Sequence, residues 1–166
     1  IGSHVALNLL DSGHTVHIID NLSTGNIKLV PKEAKFTKCN IGNVIKVTKV
    51  LRNERFDILM HFAGFIKVEE SVKYPDKYFK NNTYRSIIFF NTCKKNGLNK
   101  IVFSSTAASY GNIKGNKNIK ESYALKPQNA YAESKIKIEK FLKKNSNEFN
   151  FIILRYFNVA GSDKKL

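Results

Sequence analysis

Tyr131 and Lys135 stand four residues apart in Asn129-Ala130-Tyr131-Ala132-Glu133-Ser134-Lys135. On a helix that spacing puts a phenol and an ammonium on one face, within reach of a common ligand. Such a pair is an acid/base device. A free tyrosine has a pKa near 10, so work as a base near pH 7 requires a shift of about 3 units, roughly 4 kcal/mol in favour of the phenolate. A fixed ammonium close by, helped by a cationic cofactor ring, can supply most of that. The spacing alone arises by chance on many helices, so the neighbouring elements must decide. Lys100-Ile101-Val102-Phe103 reads as a buried strand running into Ser104-Ser105-Thr106. Hydroxyls then sit at a strand's carboxyl end, where open parallel sheets place their ligands.

The elements that must position these groups follow from the hydrophobic pattern. Val5, Leu7, Leu9 and Leu10 give a helix stopped by Gly13, and Thr15 to Ile19 is a β-branched strand ending in Asp20. Asn21 to Val30 is a polar loop, and Ala34 to Thr37 reads as a strand reaching Cys39-Asn40-Ile41. Apolar residues at 44, 45, 47, 50 and 51 predict a helix over 44–54, and Asp57 to Phe62 is the next strand. Lys77 to Lys95 reads as one long helix with Ile87, Ile88, Phe89 and Phe90 inward and Asn96-Gly97 as its cap. A lysine- and asparagine-rich loop leads to Pro127 and the tyrosine helix, and Phe151 to Leu154 is a last buried strand. The alternation predicts an α/β fold with a doubly wound parallel sheet, with no internal repeat and no linker.

With 166 residues the chain can bury one good core but is short for two domains. No run reaches the 18 or so apolar residues of a membrane span, and Ile1-Gly2-Ser3-His4 has no signal-peptide layout, so a soluble, cytoplasmic protein without membrane partners is expected. Cys39 and Cys93 match neither a disulfide framework nor a metal spacing and read as buried free thiols; no metal is expected. The net charge of +15 comes from 28 Lys and Arg against 13 Asp and Glu, spread from Lys28 to Lys165 among asparagines. Scattered charge reads as a solvated surface rather than a specific nucleic-acid interface, with polyanion binding as the competing reading.

Strand, hydroxyls, then a helix with tyrosine and lysine resembles the extended short-chain dehydrogenase/reductase superfamily. The string His61-Phe62-Ala63-Gly64 through Glu70-Ser71-Val72, Pro75, Tyr78 and Asn81-Asn82-Thr83, with Arg155-Tyr156-Phe157-Asn158, is similar to the UDP-glucose 4-epimerases. The resemblance implies a Rossmann-type NAD-binding fold and a catalytic trio of Thr106, Tyr131 and Lys135. Tyr131 would take the proton from a sugar 4-hydroxyl, Lys135 would assist it and hold the cofactor, and Thr106 would bind the reacting oxygen. By the same resemblance Gly2, Asp20, Asn21, Asn40, Ile41, Phe62, Ala63, Gly64, Asn81 and Tyr156, with Tyr131 and Lys135, contact NAD, and Asn158 and Thr106 meet a UDP-sugar. His61 reads as a packed histidine.

Asp20, at the end of the second strand of such a fold, favours NAD over NADP because a carboxylate repels a 2′-phosphate; an aspartate that merely starts a turn is the competing reading. Asn40 stands where the family usually has aspartate, and its carbonyl can still accept a hydrogen bond from adenine. Gly2 resembles the last glycine of G-x-x-G-x-x-G, whose first strand would lie upstream of Ile1. The expectation is therefore an incomplete NAD-binding domain over 1–166, lacking a substrate lobe, inactive alone and homodimeric when complete. Ala107 and Ala108 follow Thr106, where the related 4,6-dehydratases need proton-carrying carboxyl groups. Epimerases of UDP-glucuronate or UDP-N-acetylhexosamine stay open, as does a non-catalytic basic binding module.

Overall fold

The computed structural model describes residues 1–113 and 118–163; part of the lysine- and asparagine-rich loop, and Lys165, lie outside them. Helix α1 (Gly2–Asp11) leads to β1 (His17–Asp20), β2 (Lys35–Lys38), α2 (Val44–Asn53) and β3 (Leu59–His61). Then come α3 (Val68–Lys73), α4 (Pro75–Tyr78), a π-helical segment (Phe79–Tyr84) and α5 (Arg85–Lys95). Strand β4 (Lys100–Thr106), a 3-10 turn (Ala107–Tyr110), α6 (Ala130–Lys144) and β5 (Asn150–Tyr156) complete the order.

All strand pairs are parallel, as the helix-strand alternation predicts. They form two sheets, β1-β2 and β3-β4-β5. Among the described residues, β1 pairs only with β2 and β3 only with β4. Helices α2, α5 and α6 pack side by side. Beneath them Val47, Phe90, Cys93, Phe103, Ile138 and Leu142, each fully buried, form the centre of the core. Both thiols are buried there, and burial raises both pKa values, that of Cys93 to about 12.

The structure corrects several boundaries. The predicted helix over 77–95 begins at Pro75, whose fixed φ suits a first helical position, and is interrupted by the π segment. That polar stretch has little apolar surface to bury. Its Asn82 and Thr83 instead send buried side chains to Phe65 and to Ser134 on α6. Of the four residues expected inward on α5, Phe89 and Phe90 are buried but Ile88 is 41% exposed. Four consecutive helical positions sweep about 300° and cannot share one face. For the same reason Val44 and Ile45 on α2 are exposed while Val47 and Val50 are buried. Strand β4 runs three residues past Phe103, so Ser104, Ser105 and Thr106 belong to the ladder itself, opposite Leu154, Arg155 and Tyr156. Helix α3 escaped the periodicity reading; Glu69 and Glu70 in its first turn complement the helix dipole.

His61 is packed as expected, ringed by Phe89, Phe90 and Phe103, with Nε2 3.0 Å from the Ser86 hydroxyl. Burial, with the nearby Lys135 charge, pushes its pKa down to about 3. Between the unfolded value of 6.5 and that folded value, the unfolded chain takes up a proton that the folded chain refuses. Stability therefore falls as pH drops through this window, by a total on the order of 5 kcal/mol. Thermal melts at pH 6.5 and pH 5 check this: His61→Leu should show a smaller drop between the two than the unsubstituted chain, and equal drops would refute the assignment.

Candidate functional site

Helix α6 begins cleanly because Asn129 caps it, its side chain accepting from the Ala132 N–H at 2.8 Å. Tyr131 lies in the first turn, partly buried, and Lys135 one turn later is only 3% exposed. The Lys135 ammonium donates to the Ser104 carbonyl at 2.9 Å and lies 5.2 Å from the centre of the Phe103 ring. Burial lowers its pKa to about 8. Thr106, the last residue of β4, accepts the Ala108 N–H through Oγ1 at 3.2 Å. Its own hydroxyl proton stays available to another acceptor. Tyr156 faces Thr106 across the ladder, partly buried, its phenol pKa raised by that burial.

Beside this cluster lies a cleft of about 170 Å³ at the carboxyl ends of β1, β2 and β3. Eight of the residues predicted to touch a cofactor line it: Asp20, Asn21, Asn40, Ile41, Phe62, Ala63, Gly64 and Asn81. Ser23, Thr24, Gly25 and Phe65 line it too and were missed; the polar loop with its glycine was the available signal. Asp20 both starts a turn and lines the cleft. Its Oδ1 accepts the Leu22 N–H at 2.6 Å, starting a turn, while the residue faces the cleft. Asn40 likewise spends one lone pair of Oδ1 on the Gly42 N–H, at 2.9 Å, and a carbonyl oxygen has a second. Gly2 is not part of the cleft lining; a Cβ there would come within 3.4 Å of Phe62 Cβ, so it brings α1 close to the loop after β3. Asn158 lies past β5, exposed.

The cleft and the α6 cluster meet at Gly64. A Cβ there would lie 3.2 Å from Asn82 Oδ1 and 3.4 Å from the Lys135 ammonium. Asn82 holds the loop by pairing with both backbone groups of Phe65, at 2.8 and 2.9 Å, and donates to Ser134 Oγ at 3.2 Å. Asn82 was quoted as part of a motif but not as the link between loop and helix. A more open depression of about 740 Å³ lies between α2 and α4–α5 and shares Asn40, but Thr106, Tyr131 and Lys135 do not line it. Among the described residues, no group of three or more His, Cys, Asp or Glu is placed to hold a metal, and no helix is long and apolar enough to cross a membrane.

Comparison with known proteins gives the context of this geometry. Residues 1–165 match the family described as NAD dependent epimerase/dehydratase. A UDP-glucose 4-epimerase of Azospirillum brasilense is 41% identical over 165 residues, covering 98% of this chain and 47% of that protein. UDP-arabinose 4-epimerase 1 of Arabidopsis thaliana is 37% identical, covering 98% of this chain and 41% of that protein. The crystal structure of Thermus thermophilus UDP-glucose 4-epimerase complexed with NAD superposes with a TM-score of 0.89 at 31% identity, over 93% of this chain and 51% of that one. The chain spans about half the length of the curated relatives it matches.

The tight contacts at Gly64 generate a test. Gly64→Ala adds a methyl group 3.2 Å from Asn82 Oδ1, which is held by its bonds to Phe65 and Ser134 and must give way, and overpacking of this kind costs about 1–3 kcal/mol. Urea unfolding should show a lower midpoint with an unchanged slope; an unchanged midpoint would mean that the loop yields freely.

Proposed function

This chain belongs to the NAD dependent epimerase/dehydratase family, and from that premise we propose that it carries the cofactor-binding and proton-handling groups of a UDP-hexose 4-epimerase. The observation that carries the reading is the meeting at Gly64 of the cleft and the buried Lys135. A cofactor that spans the cleft ends beside the ammonium, one helical turn from Tyr131.

The residues fit NAD. Asp20 and Asn40 offer carboxylate and carbonyl acceptors for ribose and adenine donors, and Ala63 and Gly64 let a flat ring approach the backbone. When bound, NAD would supply the hydride acceptor and donor for C4 of the sugar. Tyr131 is placed to take the proton of the 4-hydroxyl and to return it to the same oxygen. Lys135, held in a water-poor site, stabilises the phenolate charge and orients the cofactor's ribose. Thr106 donates its free hydroxyl proton to the reacting oxygen, and Tyr156 and Asn158 flank the cofactor and sugar.

Ala107 and Ala108 supply no acid or base for loss of water, which favours epimerisation over dehydration. Relatives named for UDP-glucose and for UDP-arabinose agree on the reacting carbon, and we take UDP-glucose and UDP-galactose as the first substrates to try. We place the protein in the cytoplasm as a homodimer. Tyr84 and Ile88, 58% and 41% exposed, line the open depression between α2 and α4–α5 and are apolar surface for a second copy to cover. The +15 charge is assigned no nucleic-acid partner.

The test is interconversion of UDP-galactose and UDP-glucose by the protein expressed at its full natural length. Tyr131→Phe removes only the phenolic oxygen, so kcat should fall about 10² to 10⁴-fold with NAD affinity nearly intact. Lys135→Ala should damage both. A Tyr131→Phe enzyme with half its activity would contradict the assigned role, and a wild type that binds NAD without turnover would overturn the substrate.

A further inference from the structure

Glu139 lies on α6 one turn past Lys135 and is 1% exposed. A carboxylate buried so deeply is tolerated only when its lone pairs are filled. Ser105 of β4 donates to its Oε1 at 2.5 Å, and Arg155 of β5 donates through Nε to Oε1 at 3.0 Å and through Nη2 to Oε2 at 2.6 Å. The remaining guanidinium nitrogen, Nη1, reaches the Tyr110 hydroxyl at 2.8 Å and the Glu121 carbonyl at 3.2 Å. The Glu139–Arg155 pair thus joins α6 to two strands and, through the guanidinium, to the 3-10 turn after Thr106 and the connection that leads to Tyr131. None of the roles assigned above uses it.

Its position in the register matters more than its existence. Ser105 and Arg155 face each other across the ladder, immediately before the facing pair Thr106 and Tyr156. Lys135 meets the Ser104 carbonyl, and Glu139, four residues on, meets the Ser105 hydroxyl. Two successive residues of β4 therefore hold two successive turns of α6. A single contact would leave the helix free to slide or roll, whereas two fix both motions. Apolar side chains of like volume fasten a helix at least as firmly as a buried ion pair, but without directional bonds.

We propose that Glu139 and Arg155 are positioning residues: a buried carboxylate–guanidinium clamp that sets the height and roll of α6 on β4, and so the placement of Tyr131 relative to Thr106. The inference rests on the reading of Thr106, Tyr131 and Lys135 as the reacting groups. Displacing a reacting group by about 1 Å can cost about a hundredfold in rate. Loosening the clamp should then lower kcat while leaving the substrate's own contacts, and KM, nearly unchanged.

The experiment compares the full-length wild type with Ser105→Ala, which deletes one hydroxyl, and with Glu139→Met combined with Arg155→Met, which replaces the pair by apolar chains. UDP-galactose turnover with NAD, thermal melts and amide hydrogen exchange are measured on the same samples. The Met pair should keep its melting temperature, since such swaps are often neutral or stabilising, while kcat falls about tenfold or more and KM moves less than about threefold. Ser105→Ala should lower kcat several-fold and speed exchange selectively in Ala107–Tyr110 and the first turn of α6. If the Met pair fails to fold, Ser105→Ala decides. A kcat within twofold of wild type in a folded clamp variant would overturn the proposal. A wild type without turnover would sink the sugar reading instead, and exchange in Ser105→Ala would then decide the clamp alone: faster in those two segments supports it, unchanged refutes it.

Discussion

Lys135, 3% exposed, places its ammonium against the carboxyl-terminal end of strand β4, with the Ser104 carbonyl at 2.9 Å as its hydrogen-bond acceptor. Everything else in the site is arranged around that contact. The depression of its pKa from 10.5 to about 8 corresponds to a cost of roughly 3 kcal/mol at neutral pH. Helix α6 can bear it because Ala132, Ile136, Ile138 and Leu142 are buried on the same helix. Full burial of each large apolar side chain contributes about 1.5–3 kcal/mol, so apolar packing outweighs the charge. The balance holds only while α6 sits tightly on β4. That coupling makes the position of Tyr131, one turn earlier, a consequence of core packing.

From that contact the site is built outward by polar groups that replace missing regularity. Asn82 bridges the loop after β3 to Ser134, and Thr83 donates to the Ser134 carbonyl at 2.9 Å. The π segment thus joins the cleft to α6 through bonds rather than through apolar contact. Interruptions of this kind are frequent at functional sites because they present side chains that a regular helix would turn elsewhere. Gly64 fills the last gap: with no Cβ, it lets the backbone of the cleft come up to the ammonium.

The helices and strands were legible in the sequence wherever one periodicity ruled a stretch. The β-branched run before Asp20, the spacing in α2 and the apolar run before Ser104 each gave the right element, with ends displaced by one to three residues. Eight residues assigned to the cofactor by resemblance line one cleft, because strand ends in a parallel sheet converge whatever the loops do. What stayed hidden was long-range polar pairing. Asn82 looked like any polar position on a helix, and its partners Phe65 and Ser134 are 17 and 52 residues away. Glu139 matched the solvated charge expected of a lysine-rich helix, and its partners Arg155, 16 residues on, and Ser105, 34 residues back, make it a core residue. Periodicity reports which side of an element is apolar; it is blind to a charge that is buried because its partner is buried too.

Titration of the Lys135 side-chain nitrogen by NMR, assigned by comparison with Lys135→Ala, tests the account at its foundation. Burial of the side chain under β4 predicts a midpoint near 8, well below the 10.5 of a solvated lysine. A midpoint at 10.5 would show a hydrated ammonium and a helix that does not seat on β4, and the arrangement of Thr106, Tyr131 and Gly64 described above would fall with it.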